Sequence, residues 1–200
     1  MVERDDHPRE DTTEEKLAKL RPVFDRDFGS VTAGNASPLT DGASAVLLAA
    51  EEVARAEGWP ILGILRGYNY TAIDPFEHLL MGPVSAIAGV LHQTGLGLAD
   101  MNAIEMHEAF AAQVLGNLHG LASAKYCQEK LGRSAPVGEV DPEFVNQWGG
   151  SISLGHPFGA TGGRLILQLL DQLQANGGQF GLISACAAGG MGAAMVFERV

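Results

Sequence analysis

Cysteine is scarce in this 200-residue chain. Cys127 and Cys186 are the two it has, too few for a disulfide framework and in keeping with a reducing compartment. Basic residues are scarce as well: 13 Lys and Arg stand against 24 Asp and Glu, for a formal net charge of -11. Without a dense basic run, nucleic acid and anionic membrane surfaces are poor partners. No uninterrupted apolar run reaches the ~20 residues that span a bilayer. The stretch from Met1 to Glu15 is charged and polar, unlike a secretory signal, and its acidity disfavours a transit peptide. A cytoplasmic protein without membrane insertion is the expectation. No His and Cys pair has the spacing of a zinc site, and no nucleotide-binding glycine fingerprint follows a strand. Neither a metal nor an organic cofactor is expected.

What the chain does have is apolar residues and glycine. At 46% hydrophobic and 18% charged it can bury a sizeable core, and its 26 glycines crowd around a few histidines and a cysteine. Residues 1–13 read as a solvated leader or a cut loop, followed by a short helix from Glu14 to Lys19. Ser30 to Ala33 is a brief candidate strand ahead of the turn Asn35-Ala36-Ser37-Pro38. Thr40 or Asp41 then caps a helix of good formers, Ala43 to Glu57, which Gly58 stops. Ile61 to Tyr70 reads as a strand. Pro83 opens a helix with Val84, Ile87, Ala88 and Leu91 on one face, ended by Gly95. A short buried strand, Ala103 to Met106, leads into a helix from Glu108 to about Ala124. Lys125 to Asn146 is a polar excursion longer than most connections, which marks it for function. The helix after Gly159 carries Leu165, Ile166, Leu169, Leu170 and Leu173. Gln179 to Ala185 and Gly192 to Glu198 are strands flanking a glycine turn. The pattern predicts a layered α/β fold, a βαβαβαββ-type domain with helices on a mixed sheet and an antiparallel hairpin at its end.

Three constellations carry the chemistry. His156 stands in Gly155-His156-Pro157-Phe158-Gly159, where the glycines allow a tight approach and the following helix start offers amides to an anion or thiolate. A lone histidine would read as a turn or cap; the glycine frame favours function. Cys186 ends an apolar run before Ala187-Ala188-Gly189-Gly190. Free cysteines are more often small buried hydrophobes, but a strand-end thiol can carry protons or attack a carbonyl, and exposed amides after it can form an oxyanion hole. His107, closing Ala103-Ile104-Glu105-Met106, is as readily a capping residue as a catalytic one. Glu108 is evenly balanced between orienting an imidazole and serving as a first-turn carboxylate. Cys127 reads as structural, and His7, His78, His92 and His119 as surface or packing residues.

Together these motifs resemble the thiolase family: His107-Glu108-Ala109-Phe110, Gly155-His156-Pro157-Phe158-Gly159-Ala160-Thr161-Gly162 and Cys186-Ala187-Ala188-Gly189-Gly190. Thr32-Ala33-Gly34-Asn35-Ala36-Ser37-Pro38-Leu39-Thr40-Asp41-Gly42-Ala43 is similar to that family's segment closing the first of its two halves. The resemblance runs from about Leu20 to Val200. Histidine at 107 makes it most similar to the β-subunit type of the fatty-acid oxidation trifunctional complex. The resemblance implies thiolysis of 3-ketoacyl-CoA by CoA, giving acetyl-CoA and a shortened acyl-CoA, with coenzyme A as substrate. It implies that His156 activates a nucleophilic cysteine, and that Cys186 is the general acid/base. His107 would stand at one oxyanion hole, the backbone N–H of Ala188 at the second, and Ser37 beside the pantetheine arm.

The resemblance also implies a departure, since no cysteine precedes Cys127. Residues 1–57 would be the incomplete tail of the first half and residues 58–200 the C-terminal half, with the nucleophile-bearing part absent and the isolated chain inactive. An N-terminal thiolase half, further copies of the chain and a hydratase–dehydrogenase subunit are the implied partners. An exposed apolar face is expected where that half is missing. A truncated half acting as scaffold or acyl-CoA binder is the competing reading, and a ketoacyl synthase-like enzyme fits the cysteine-glycine ending less well.

Overall fold

The computed structural model of the protein describes Glu3 and residues 7–200; Met1, Val2, Arg4, Asp5 and Asp6 of the polar leader lie outside the described residues. Helix α1 (Glu14–Leu17) is capped by Thr13, whose hydroxyl accepts from the Lys16 amide. After α2 (Glu51–Ala56) come β1 (Ile64–Ala72), α3 (Pro75–His78), α4 (Gly82–Thr94) and β2 (Met101–Met106). Helices α5 (Ala111–Ala122), α6 (Ala124–Leu131), α7 (Ser151–Leu154) and α8 (Thr161–Asn176) follow, then β3 (Phe180–Ala187) and β4 (Met191–Glu198). The four strands form one sheet in the order β1-β4-β3-β2. β2 and β3 are parallel, while β4 runs antiparallel to both β3 and β1. The mixed sheet and the closing hairpin are as the sequence predicts.

The period-2 geometry of the strands sorts their side chains to two faces. Ile104, Leu182, Ala194 and Val196 meet Val84, Ile87 and Val90 of α4 and Leu118 and Leu121 of α5 on one side. Ala103, Ile183 and Phe197 meet Leu165, Leu169, Leu170 and Leu173 of α8 on the other. Helix α4 ends at Gly95, whose φ of 71° closes the helix in the left-handed form that glycine adopts without strain. Among the described residues no helix is long and apolar enough to cross a membrane.

The structure corrects the reading at several places. The expected middle strand of the βαβαβαββ order shrinks to a single parallel bridge, Val145 on Ile104 beside β2. The excursion from Lys125 opens with α6 rather than a loop, because Ser123 caps it and Gly132 stops it at φ 64°. The helix expected from Glu108 starts three residues later at Ala111. Ser30 to Ala33 forms no strand.

Of the helix expected over Ala43–Glu57 only Glu51–Ala56 is helical. Residues 41–50 are irregular and exposed, and their amides donate no backbone hydrogen bond among the described residues. Tertiary contact overrides propensity here. Ser44 donates to the Ala160 carbonyl at 2.8 Å and, with Val46, packs on Gly163 of α8, an anchorage that pins the segment before a helical turn can close.

Candidate active site

The carboxyl ends of the parallel strands β2 and β3 build the site. The His107 amide donates to the Ser184 carbonyl at 2.8 Å, extending the ladder one step past β2 and fixing the imidazole at the strand end. Two residues beyond Ser184, Cys186 pairs with Gly192 across the hairpin. The main chain of Ala109 reaches the Cys186 thiol, so the cysteine adjoins the 107–110 segment.

A strap from the N-terminal part of the chain crosses both histidine loops. Ala36 bridges Phe110, and Leu39 bridges His156. Between them the Ser37 amide donates to the Ala109 carbonyl at 3.0 Å, and the His156 amide donates to the Pro38 carbonyl at 3.0 Å. Gly155, at φ 108°, turns the chain into His156 with its α-carbon against the Thr40 side chain. A side chain there would be strained and would strike Thr40. This crossing brings the rings of His107 and His156 to a centroid distance of 4.0 Å.

Each of the two imidazoles has one nitrogen engaged. His107 Nδ1 lies 2.8 Å from Ser151 Oγ, and His156 Nδ1 lies 2.7 Å from Thr161 Oγ1. His107 is 3% exposed; burial, helped by His156 and Arg164, pulls it down to about 4. Burial and then Arg164 lower His156 as well. Burial pushes the Cys186 thiol up to about 11, against the pull of its own main chain and that of Ala109. At neutral pH the site therefore holds neutral imidazoles and a protonated thiol. Ala188 is exposed in the turn after β3.

Two family models match the chain: "Thiolase, C-terminal domain" over residues 59–199, which include His107, His156 and Cys186, and "Thiolase, N-terminal domain" over residues 1–52. The chain belongs to the thiolase family. It is 52% identical to a 3-ketoacyl-CoA thiolase of Shewanella halifaxensis over 198 residues, which is 99% of this chain and 45% of that protein. It is 54% identical to a 3-ketoacyl-CoA thiolase of Yersinia pestis over 97% of this chain and 44% of that protein. Among solved structures, human mitochondrial 3-ketoacyl-CoA thiolase superposes with a TM-score of 0.82 at 35% identity, covering 98% of this chain and 45% of the other. The acetyl-CoA acetyltransferase of Bacillus anthracis superposes at 0.83 with 39% identity, over 98% and 45%. The chain thus spans less than half the length of the curated relatives it matches.

Within this family member, residues that sequence reasoning passed over hold the site together. Asn146 sits at φ 54°; its side chain accepts from the Met106 amide at 2.8 Å and donates to the Met106 carbonyl at 2.9 Å and to Glu108 Oε1 at 2.6 Å. Glu108 Oε2 accepts from the Ile152 amide at 2.9 Å. Among the described residues Glu108 therefore holds no imidazole; it ties the 146–152 turn to the end of β2. Gly150 lies flush against that carboxylate, with no room for a Cβ. Glu105, fully buried, is held by Gln172 at 2.5 Å and Gln168 at 3.0 Å, and burial pushes it up to about 7. A carboxylate at the second-last place of an apolar strand was the available signal. Cys127 is fully buried, its sulfur directed at the carbonyls of Gly120 and Leu121. Among the described residues no cluster of His, Cys, Asp or Glu is arranged to hold a metal ion.

Proposed function

We propose that this chain is the C-terminal portion of a 3-ketoacyl-CoA thiolase of fatty-acid β-oxidation, residues 1–57 being the tail of its first half and residues 58–200 its second half. The observation that carries the reading is the stacked pair His107 and His156 beside the strand-end Cys186. Thiolysis needs one sulfur to hold the acyl group and a second group to move protons. Cys127 is sealed between helices, so the acyl-holding sulfur comes from the first half. That sulfur, activated by His156, attacks the 3-keto carbon, and the bond between C2 and C3 breaks. Cys186 gives its proton to the departing acetyl-CoA carbanion. The resulting thiolate takes the proton of an incoming CoA thiol, which attacks the acyl–sulfur bond and releases the shortened acyl-CoA. The first-half sulfur leaves as a thiolate and takes back the proton that His156 removed from it, and Cys186 returns to its thiol form.

His107 and the Ala188 amide offer hydrogen bonds to the oxygens that gain charge in these steps, and Ser37, on the strap, lies beside the pantetheine arm of CoA. No further cofactor is invoked. The enzyme works as an oligomer in the cytoplasm, with a hydratase–dehydrogenase subunit as its multienzyme partner. The test joins the chain to a cysteine-bearing first half and follows 3-ketoacyl-CoA and CoA consumption. The joined protein turns over and the 200-residue chain alone does not. Cys186→Ala in the joined protein stops turnover while mass spectrometry still detects an acyl group on the other cysteine. Steady acetyl-CoA release by the chain alone, with an acyl adduct on Cys127, would overturn the reading.

A further inference from the structure

We propose that Ser151, clamped by Arg164, fixes His107 in the tautomer that carries its proton on Nε2, making this N–H the group His107 presents to a substrate oxygen. The tautomer follows from the geometry alone; the substrate oxygen rests on the thiolase reading of the site. Arg164 Nη2 donates to Ser151 Oγ at 3.0 Å, and a guanidinium can only donate. Ser151 has no exposed surface, so its own hydroxyl hydrogen needs a protein acceptor. Among the described residues, the other partner of Ser151 Oγ is His107 Nδ1 at 2.8 Å. The hydroxyl therefore donates to Nδ1, which must be bare, and the proton of the neutral ring sits on Nε2.

The clamp is itself fixed. Gln168 Nε2 donates to Glu105 at 3.0 Å and to the Gly149 carbonyl at 2.7 Å, which leaves its amide oxygen to accept from Arg164 Nη1 at 3.1 Å. Donation thus runs outward from Arg164, through Gln168 to Glu105 on one side and through Ser151 to His107 on the other. Each link has one sense of donation. His156 differs in this respect: Thr161 Oγ1 meets its Nδ1, but no second donor constrains that hydroxyl among the described residues. The two histidines have separate tasks, His107 a fixed donor and His156 free to exchange protons. Ser151 and Arg164 are positioning residues.

The test is a long-range proton–nitrogen correlation on the 200-residue chain with ¹⁵N-labelled imidazoles at pH 7, His107 assigned by difference with His107→Asn. The expected result is a pyridine-type Nδ1 and a pyrrole-type Nε2. A pyrrole-type Nδ1 overturns the proposal. In Ser151→Ala the strict preference is released and His107 gives averaged shifts; wild-type shifts in a folded Ser151→Ala chain would overturn the role of Ser151, and if that variant does not fold the wild-type spectrum still decides. In the joined protein Ser151→Ala lowers kcat about ten- to hundredfold with KM little changed. A joined wild-type protein that fails to cleave 3-ketoacyl-CoA refutes the function and leaves the spectrum to judge the tautomer.

Discussion

The imidazoles of His107 and His156 face each other with centroids 4.0 Å apart and planes 33° from parallel. Two unit charges at that separation repel by about 4 kcal/mol at an effective dielectric constant of 20. The pair therefore never carries two positive charges near neutral pH, and the more deeply buried ring, His107, is the one kept neutral. One ring can take a proton because its neighbour declines it.

His107 and the buried Glu105 make opposite contributions to the pH dependence of stability. His107 falls from 6.5 to about 4, so its contribution is present above 6.5 and is lost as pH falls through 4. Glu105 rises from 4.5 to about 7, so its contribution is present below 4.5 and is lost as pH rises through 7. Between about pH 4.5 and 6.5 folding moves one proton from imidazole to carboxyl, and the two slopes cancel. Urea titrations of Glu105→Gln should add the uncancelled His107 slope to the wild-type pH dependence, about 3 kcal/mol gained from pH 4 to 6.5; a variant with the wild-type dependence over that range would contradict this.

Cys186, 7% exposed and pushed up to about 11, should react slowly with iodoacetamide at pH 8. Its rate should climb steeply only as pH approaches that value. By linkage, its stabilising contribution is present below the ordinary thiol value of 9.0 and is lost as pH rises through about 11. Peptide mapping distinguishes it from Cys127, which is expected to stay unmodified until the chain unfolds. Rapid labelling of Cys186 at pH 7 would mean a thiolate, and a different proton inventory for the site.

Asn146 holds both polar groups of the Met106 backbone and the Glu108 carboxylate. Asn146→Ala leaves a buried N–H and C=O unpaired and keeps a non-glycine residue at positive φ. The expected cost is about 3 kcal/mol, at ~1–3 kcal/mol for each orphaned group, read from denaturant midpoints. Asn146→Asp should also destabilise, through repulsion with Glu108. Neutral effects in both would show that the tie between the turn and β2 carries no load.

Much of this architecture is legible in the sequence because period and punctuation agree. Val84, Ile87, Ala88 and Leu91 mark α4, Gly95 stops it, and the glycine turn after Cys186 announces the hairpin. The helix expected over Ala43–Glu57 fails for a different reason. Its alanines and leucines have high helix propensity, yet Ser44 and Val46 are fixed against α8, a contact about 120 residues away that no local pattern reveals. His156 and Cys186 stand out by their glycine frames, and His107 only by closing an apolar run. Ser151 and Arg164 do not, since a serine after two glycines and an arginine on a helix are common, and what they do depends on which hydroxyl a distant guanidinium reaches.

Residues 41–50 also leave apolar surface open. Leu47 is 79% exposed and Leu48 76%, and Trp59, Leu62 and Leu65 lie along the same shallow depression of about 540 Å³. Such a patch draws partners. The purified chain should bind an environment-sensitive apolar dye and scatter light as more than a monomer, and Leu47→Lys with Leu48→Lys should reduce both signals. A monomer without dye binding would count against an exposed face.

The strap at residues 36–40 has a consequence for the order in which the protein folds. Its bridges to Phe110 and His156 close loops of about 70 and 120 residues, whereas the β3–β4 hairpin closes across a short turn. Contacts of long sequence separation bear their loop-closure entropy before they are rewarded. The hairpin, with α8 folded back on β3 beside it, therefore forms first, and the histidine pair comes into register only when the strap arrives. The same hierarchy runs backwards in the native state: the strap can lift while the sheet stays intact, separating the rings at a fraction of the free energy of global unfolding.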